Sequence, residues 1–333
     1  MSTQQFSLKR TLRLFFTGAA MGSADIVPGV SGGTVAFLMG IYEELIHSIK
    51  VLSGEVVKLL IQGKITRAIS KVPFQFLIPL GTGLLLAVLS LSKTIAFLLS
   101  HYPLFVWSFF FGLVTASIWV VRTRVKSWDL HDYGAMLLVS IFAFILVGAV
   151  PVETPNNVFA IFLSGFVAIC AMILPGISGS FLLVIMGKYE QILTALNQRD
   201  MLTVSIFMMG CVAGLAVFSR LLSYLFAKHH DILIASLMGF MIGSLRKVWP
   251  WKEVVLTRVN SHGDIVPVVE NNILPILNDP TTYICIGLAI VGFGVVTLLD
   301  RLQSTKEHIG DIHDKAFATT HKKAVASQKA GKI

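Results

Sequence analysis

Long apolar runs alternate with short polar ones along this chain, and their lengths set the elements. Residues 74–99, 104–121, 134–150, 202–226, 232–245 and 283–299 are almost purely apolar. At a rise of about 1.5 Å per residue such runs predict membrane-crossing helices. Two further apolar runs, 23–46 and 158–192, are interrupted by proline and glycine. Proline removes a backbone donor, and each glycine weakens a helix by about 1 kcal/mol. Broken backbone at membrane depth is tolerated only where protein or a water-filled cavity surrounds it. Each of these runs therefore predicts a re-entrant hairpin, with one helix in, a break, and a second helix out on the same side. Residues 1–22 predict an amphipathic helix on the membrane surface, basic at Lys9, Arg10 and Arg13 and apolar at Leu12, Leu14, Phe15 and Phe16. Residues 47–72 read as a polar connector, 246–280 as a polar loop and 300–333 as a basic tail.

The two interrupted runs are copies of one another. Ile26-Val27-Pro28-Gly29-Val30-Ser31-Gly32-Gly33, followed by Met39-Gly40-Ile41-Tyr42-Glu43, returns as Ile173-Leu174-Pro175-Gly176-Ile177-Ser178-Gly179-Ser180 and Met186-Gly187-Lys188-Tyr189-Glu190. The offset is a constant 147 residues. A second correspondence, at 127 residues, pairs Gly83 with Gly210, Ser92-Lys93 with Ser219-Arg220, Gly112 with Gly239 and Ser117 with Ser244. Registered repeats of this length indicate duplication of one unit. The first unit covers residues 23–150, with its hairpin at 23–46. The second covers 158–299, with its hairpin at 158–192. Each is one broken hairpin plus three spans, and three crossings turn the second upside down relative to the first.

Composition changes the picture in one respect, the solvent. The 333 residues are 55% hydrophobic and only 14% charged, against roughly 25% charged in soluble domains. This predicts an all-α polytopic membrane protein built of two inverted-topology repeats. Lysine and arginine distribution agrees: nineteen of the 27 fall on the side holding both termini, and six on the other. By the positive-inside rule both termini are cytoplasmic. The net charge of +9 follows from this topology, and no nucleic-acid motif accompanies it. Cys170, Cys211 and Cys285 sit in apolar runs without metal-ligand spacing, so no metal or other cofactor is expected.

Two cations remain, Lys93 and Arg220, both inside apolar spans. A charge there is costly and marks function by default. Helices that begin after Pro-Gly-x-Ser-Gly aim free N–H groups and a positive dipole end at the break, which suits an anion. The candidate phosphate site is thus Gly29, Ser31, Gly32, Gly33 and Thr34 from the first tip, Gly176, Ser178, Gly179 and Ser180 from the second, and Lys93 and Arg220. Asp25, Glu43 and Glu190 are candidates for carrying H⁺ or Na⁺ or for a charge relay; Asp25 faces Met172 in the other copy. Trp249-Pro250-Trp251 reads as an interface anchor.

Asp25-Ile26-Val27-Pro28-Gly29-Val30-Ser31-Gly32-Gly33-Thr34, Leu174-Pro175-Gly176-Ile177-Ser178-Gly179-Ser180 and Gly243-Ser244-Leu245-Arg246-Lys247-Val248-Trp249-Pro250 together resemble the PopT-type undecaprenyl phosphate translocase family. The resemblance implies a multi-pass protein of the bacterial inner membrane. It would return undecaprenyl phosphate, a polyprenyl monophosphate lipid, from the outer to the inner leaflet for cell-envelope synthesis. Two alternatives stay open at this point: a polyprenyl diphosphate phosphatase, and a small-anion transporter or channel.

Overall fold

A computed structural model describes residues 8–27, 30–149, 154–259 and 265–301. Pro28, Gly29, Val150 and the basic tail past Arg301 lie outside the described residues. Helices dominate. Among the described residues five are long and apolar enough to cross a membrane: α6 (Phe74–His101), α7 (Pro103–Arg122), α8 (Leu130–Val147), α12 (Met201–Lys228) and α14 (Pro280–Arg301). A sixth long helix, α13 (His230–Val248), carries Asp231 at one end and Arg246 and Lys247 at the other, and is the most enclosed of all.

The first helix departs from the expectation of a surface element over residues 1–22. α1 runs unbroken through Leu8–Ile26 and buries Leu14, Thr17, Gly18, Met21 and Gly22 along α6. Small residues draw it there. A Cβ on Gly18 would overlap the Leu80 carbonyl, and one on Gly83 would overlap the Phe15 carbonyl. Helix axes that approach this closely gain packing where lipid offers no hydrophobic drive. The same contact recurs between α9 (Val158–Ile173) and α12, where Gly165 meets the Phe207 carbonyl and Gly210 meets the Phe162 carbonyl. These four positions obey the two offsets seen in the sequence, so α1 is the counterpart of α9.

After each of these helices comes a break and one short helix, α2 (Gly32–Leu38) or α10 (Gly179–Ile185). The repeated Met-Gly explains how the short helix stops. Gly40 and Gly187 take positive φ, 70° and 64°, a conformation that costs glycine nothing. The next residue then reaches back five places, Ile41 N–H to the Ala36 carbonyl at 3.0 Å and Lys188 N–H to the Leu183 carbonyl at 2.8 Å. This closes the last turn and satisfies carbonyls that would otherwise be orphaned. α3 (Tyr42–Val51) and α11 (Tyr189–Asn197) follow. The connector after α3 is helical too, as a π turn (Leu52–Val56), α4 (Val57–Ile61) and α5 (Ile65–Lys71).

The remaining long helices exchange partners between halves. α13 packs on α8, with Gly239 against the Met136 carbonyl and Gly243 against the Ser140 carbonyl. α7 packs on α14, with Gly112 against the Ala289 carbonyl and Gly292 against the Phe109 carbonyl. Residues 246–280, expected as a polar loop, instead contain an antiparallel hairpin of β1 (Lys252–Val259) and β2 (Ile265–Asn272). Enrichment in β-branched residues, Val254, Val255, Thr257 and Val259 in one strand and Ile265, Val266, Val268 and Val269 in the other, favours strands here. The open end of the hairpin is in regular register, with Lys252 opposite Asn272, Glu253 opposite Asn271 and Val254 opposite Glu270; an irregularity follows only between Val254 and Thr257. Lys252 and Glu270 thereby become diagonal neighbours on one face.

Replacing Gly210 by leucine forces a side chain into the Phe162 carbonyl and is expected to destabilise the protein by about 1–3 kcal/mol. Gly287→Leu meets open space and is expected to leave the melting temperature in detergent unchanged. Thermal unfolding of the two variants side by side checks this.

Candidate functional site

The two breaks meet. Thr34 is buried at the first, and its Oγ1 accepts the Gly176 N–H of the second at 3.0 Å. Ser31 Oγ accepts the Gly33 N–H at 3.1 Å and lies 3.4 Å from the Met172 carbonyl. The buried Tyr42 hydroxyl donates to the Ile173 carbonyl at 3.1 Å. A Cβ on Gly33 would sit 2.7 Å from that same carbonyl. The last carbonyls of α9, left over where the helix ends, are thus taken up by side chains of the other copy. Gly176 holds φ at 88° against Met241 and Ser244 of α13, so the second tip is braced from behind.

The tips differ in what they leave open. At the first, Asp25 Oδ1 accepts the Gly32 N–H at 2.6 Å. The start of α2 already faces a carboxylate, and the Ser31 and Thr34 hydroxyls are engaged. At the second, Met172 replaces Asp25, and no side chain caps the start of α10. Ser178 and Ser180 bond each other at 2.8 Å, with Ser180 exposed. Leu174, just before this tip, borders an apolar groove of about 240 Å³ that Phe218, Leu222 and Leu225 of α12 and Leu233 and Leu237 of α13 also line.

The structure does not bring the two buried-looking cations to this junction, which corrects that part of the expectation. Lys93 is exposed on α6. Arg220 is exposed as well, its guanidinium beside Gly54 of the π turn. On α12 it stands on the side opposite Phe218, Leu222 and Leu225, as a spacing of 100° per residue requires. Glu43 is largely exposed and lies 3.5 Å from His230 Nε2. Glu190 is half-buried at the start of α11. Its neighbour Lys188 is fully buried, and its ammonium is spent on the Thr154 and Pro155 carbonyls, Asn156 Oδ1 and Gln191 Oε1.

A second polar cluster lies at the far end of α13, where the sequence suggested only loop charges. Arg246, Lys247, Lys252 and Glu270 line a cavity of about 90 Å³ with Phe181 of α10. Both lysines reach the same oxygen, Glu270 Oε2, at 3.3 Å and 3.2 Å. Arg246 Nη1 donates to the Phe144 carbonyl at 3.1 Å, near the end of α8, where a cation suits the helix dipole. Gly148 has no side chain in the space that guanidinium fills. Burial, with Lys247 nearby, pushes Lys252 down to about 8 despite Glu270. Burial alone would raise the Glu270 carboxyl, but the two ammoniums outweigh it and hold it below the usual glutamate value. The signal that could have pointed here is Arg-Lys closing an apolar helix just before Trp-Pro-Trp-Lys.

Residues 21–266 match the family model VCA0040-like, described as undecaprenyl phosphate translocase-like. A polyprenyl-phosphate transporter of Vibrio cholerae serotype O1 (strain ATCC 39315 / El Tor Inaba N16961) is 39% identical over 264 residues, 79% of this chain and 86% of that protein. A polyprenyl-phosphate transporter of Staphylococcus aureus (strain NCTC 8325 / PS 47) is 31% identical over 265 residues, 74% of this chain and 88% of that protein. No solved structure matches this chain.

Lys252 is expected to lose its proton near pH 8, well below an ordinary lysine. Glu270→Gln removes the group that opposes the downward shift and is expected to lower the value further. Carbon-13 NMR of methyl-labelled lysines, followed through the alkaline range, checks both the position and the direction.

Proposed function

Because the chain belongs to the VCA0040-like, undecaprenyl phosphate translocase-like family, we propose that it carries a polyprenyl monophosphate, undecaprenyl phosphate, across the bacterial inner membrane. The observation that supports this most is the second tip. A pair of open hydroxyls, Ser178 and Ser180, stands at a polar break, and an apolar groove begins at Leu174 a few residues earlier. That pairing suits a ligand with a phosphate at one end and hydrocarbon at the other. Gly176, Ser178, Gly179 and Ser180 bind the phosphate in this reading. Ser31, Gly32, Gly33 and Thr34 of the first tip hold the junction in shape. The lipid approaches sideways and its tail stays in the bilayer.

The two repeats are inverted in this proposal, with both termini cytoplasmic, and each broken pair is re-entrant. Rocking about the junction then moves access from the outer to the inner leaflet. An inside-negative potential opposes inward movement of an anion by about 2.3 kcal/mol per charge per 100 mV. Asp25 is the group we assign to H⁺ or Na⁺ coupling, because it alone among the duplicated tip positions is acidic in one copy only. Releasing its carboxylate from the Gly32 N–H would open the first tip to the phosphate. Glu43 and Glu190 sit at the hairpin bases and play no part in phosphate binding here. Both relatives bear the names of transporters, which favours transport over the diphosphate phosphatase and over a channel for small anions.

Purified protein in liposomes with a fluorescent polyprenyl phosphate tests the reading, with leaflet location followed by a quencher confined to one side. Ser178→Ala combined with Ser180→Ala is expected to slow transfer on the order of tenfold, as loss of hydrogen bonds to a charged group does. An unchanged rate in the double variant would remove the second tip from the site. Release of inorganic phosphate from the diphosphate lipid would point to the phosphatase instead.

A further inference from the structure

We infer that the cavity formed by Arg246, Lys247, Lys252 and Glu270 is a docking site for the phosphate head group of the lipid, and that the groove beside Trp249 and Trp251 takes its first prenyl units. The inference rests on the transport reading and adds to it a separate place where the substrate is first held.

Charge carries the first part. Three cations face one carboxylate, leaving two positive charges in excess when all are ionised. A phosphomonoester bears about −1.5 to −2 charges near neutral pH, so it balances the pocket almost completely. The charges of the pocket do not balance one another. Two ammoniums share one carboxylate oxygen, and Lys252 is almost wholly buried, with the Trp107 ring centre 4.5 Å from its ammonium. Arg246 uses Nη1 on the Phe144 carbonyl and keeps further N–H donors of its fork for an anion. A buried ammonium beside a partly buried one, with unspent guanidinium donors close by, is a receptive setting for an anion, and ion pairs of this kind add little to folding.

Continuity carries the second part. Trp249, Pro250 and Trp251 link the cavity residues Lys247 and Lys252 along the chain. They also line a purely apolar groove of about 310 Å³ against Phe111 of α7 and Ile286 and Ile290 of α14. Trp249 Nε1 is fixed on the Ile273 carbonyl at 2.9 Å, so its ring is held as a rigid wall. A polar pocket and a hydrocarbon groove lined by neighbouring residues of one short stretch of chain suit a prenyl phosphate. A free anion would use only the pocket. On the other side Phe181 lines the cavity, with Lys247 Nζ 5.2 Å from its ring. Phe181 directly follows Ser180, which puts the docking site next to the open second tip. Asn272 Nδ2 bonds the Arg246 carbonyl at 2.9 Å, so the β-hairpin fixes one edge of the pocket.

The test uses the full-length protein in detergent micelles and farnesyl phosphate as the probe, with binding read from tryptophan fluorescence. Lys247→Gln and Lys252→Gln are each expected to weaken binding on the order of tenfold, while Lys247→Arg retains it. Glu270→Gln gives the discriminating result. It is expected to lower the melting temperature of the free protein yet tighten binding of farnesyl phosphate, because the competing carboxylate is gone. A residue that only holds the fold together would weaken both. Farnesol and inorganic phosphate are expected to bind more weakly than farnesyl phosphate. Equal affinity for inorganic phosphate overturns the lipid assignment. Unchanged affinity in both lysine variants overturns the docking site, yet leaves transport standing if the same variants still move lipid in liposomes. Wild-type protein that moves no lipid overturns the transport reading itself.

Discussion

Helix ends buried in a protein have nowhere to turn for hydrogen bonds except other parts of the chain, and the arrangement of the two breaks follows from how this chain meets that demand. Each interrupted helix ends in carbonyls and begins again in N–H groups. The structure satisfies many of them across the duplication: Thr34 serves Gly176, Tyr42 serves Ile173, and Ser31 approaches Met172. The two copies therefore complete one another at the break. A tip held this way has a fixed shape, and a fixed shape keeps a few polar atoms in place without unravelling the helices around them.

Duplication has not produced two identical tips. The exchange of Asp25 for Met172 decides the difference. One short helix starts against a carboxylate and is electrically quiet; the other starts beside two hydroxyls that have only each other. The position of the extra cations sharpens the asymmetry. Arg246, Lys247 and Lys252 gather beside α10 through Phe181, whereas Lys93 and Arg220 point outward from their helices. Positive charge is thus concentrated near one tip and screened at the other by a built-in anion.

Much of this was legible in the sequence because it is local or repeated. Apolar run length marked the long helices, and Pro-Gly-x-Ser-Gly marked the breaks; Met-Gly showed itself in the sequence only as part of the repeat, and its role in stopping the short helices rests on the positive φ of Gly40 and Gly187. What escaped depends on contacts between distant residues. Nothing in residues 1–22 says that Gly18 will press on Leu80, because an amphipathic pattern fits a protein groove as well as a membrane surface. Nothing near Lys252 says that Glu270 will stand beside it, because that diagonal is set by the pairing of two strands whose register the local sequence does not announce. Lys93 and Arg220 illustrate the opposite error. A cation in an apolar run looks buried, but on the outward face of its helix a long side chain extends away from the packed side.

The exchange of helices between halves carries an evolutionary implication. α8 finds its main partner in α13, and α14 in α7, so the last helix of each half packs on the middle long helix of the other. Neither half can shelter its final helix alone. An ancestor with a single copy would have needed a sister chain to supply the missing surface. The fusion of two copies into one polypeptide would then have made permanent an association that was once a meeting of separate molecules.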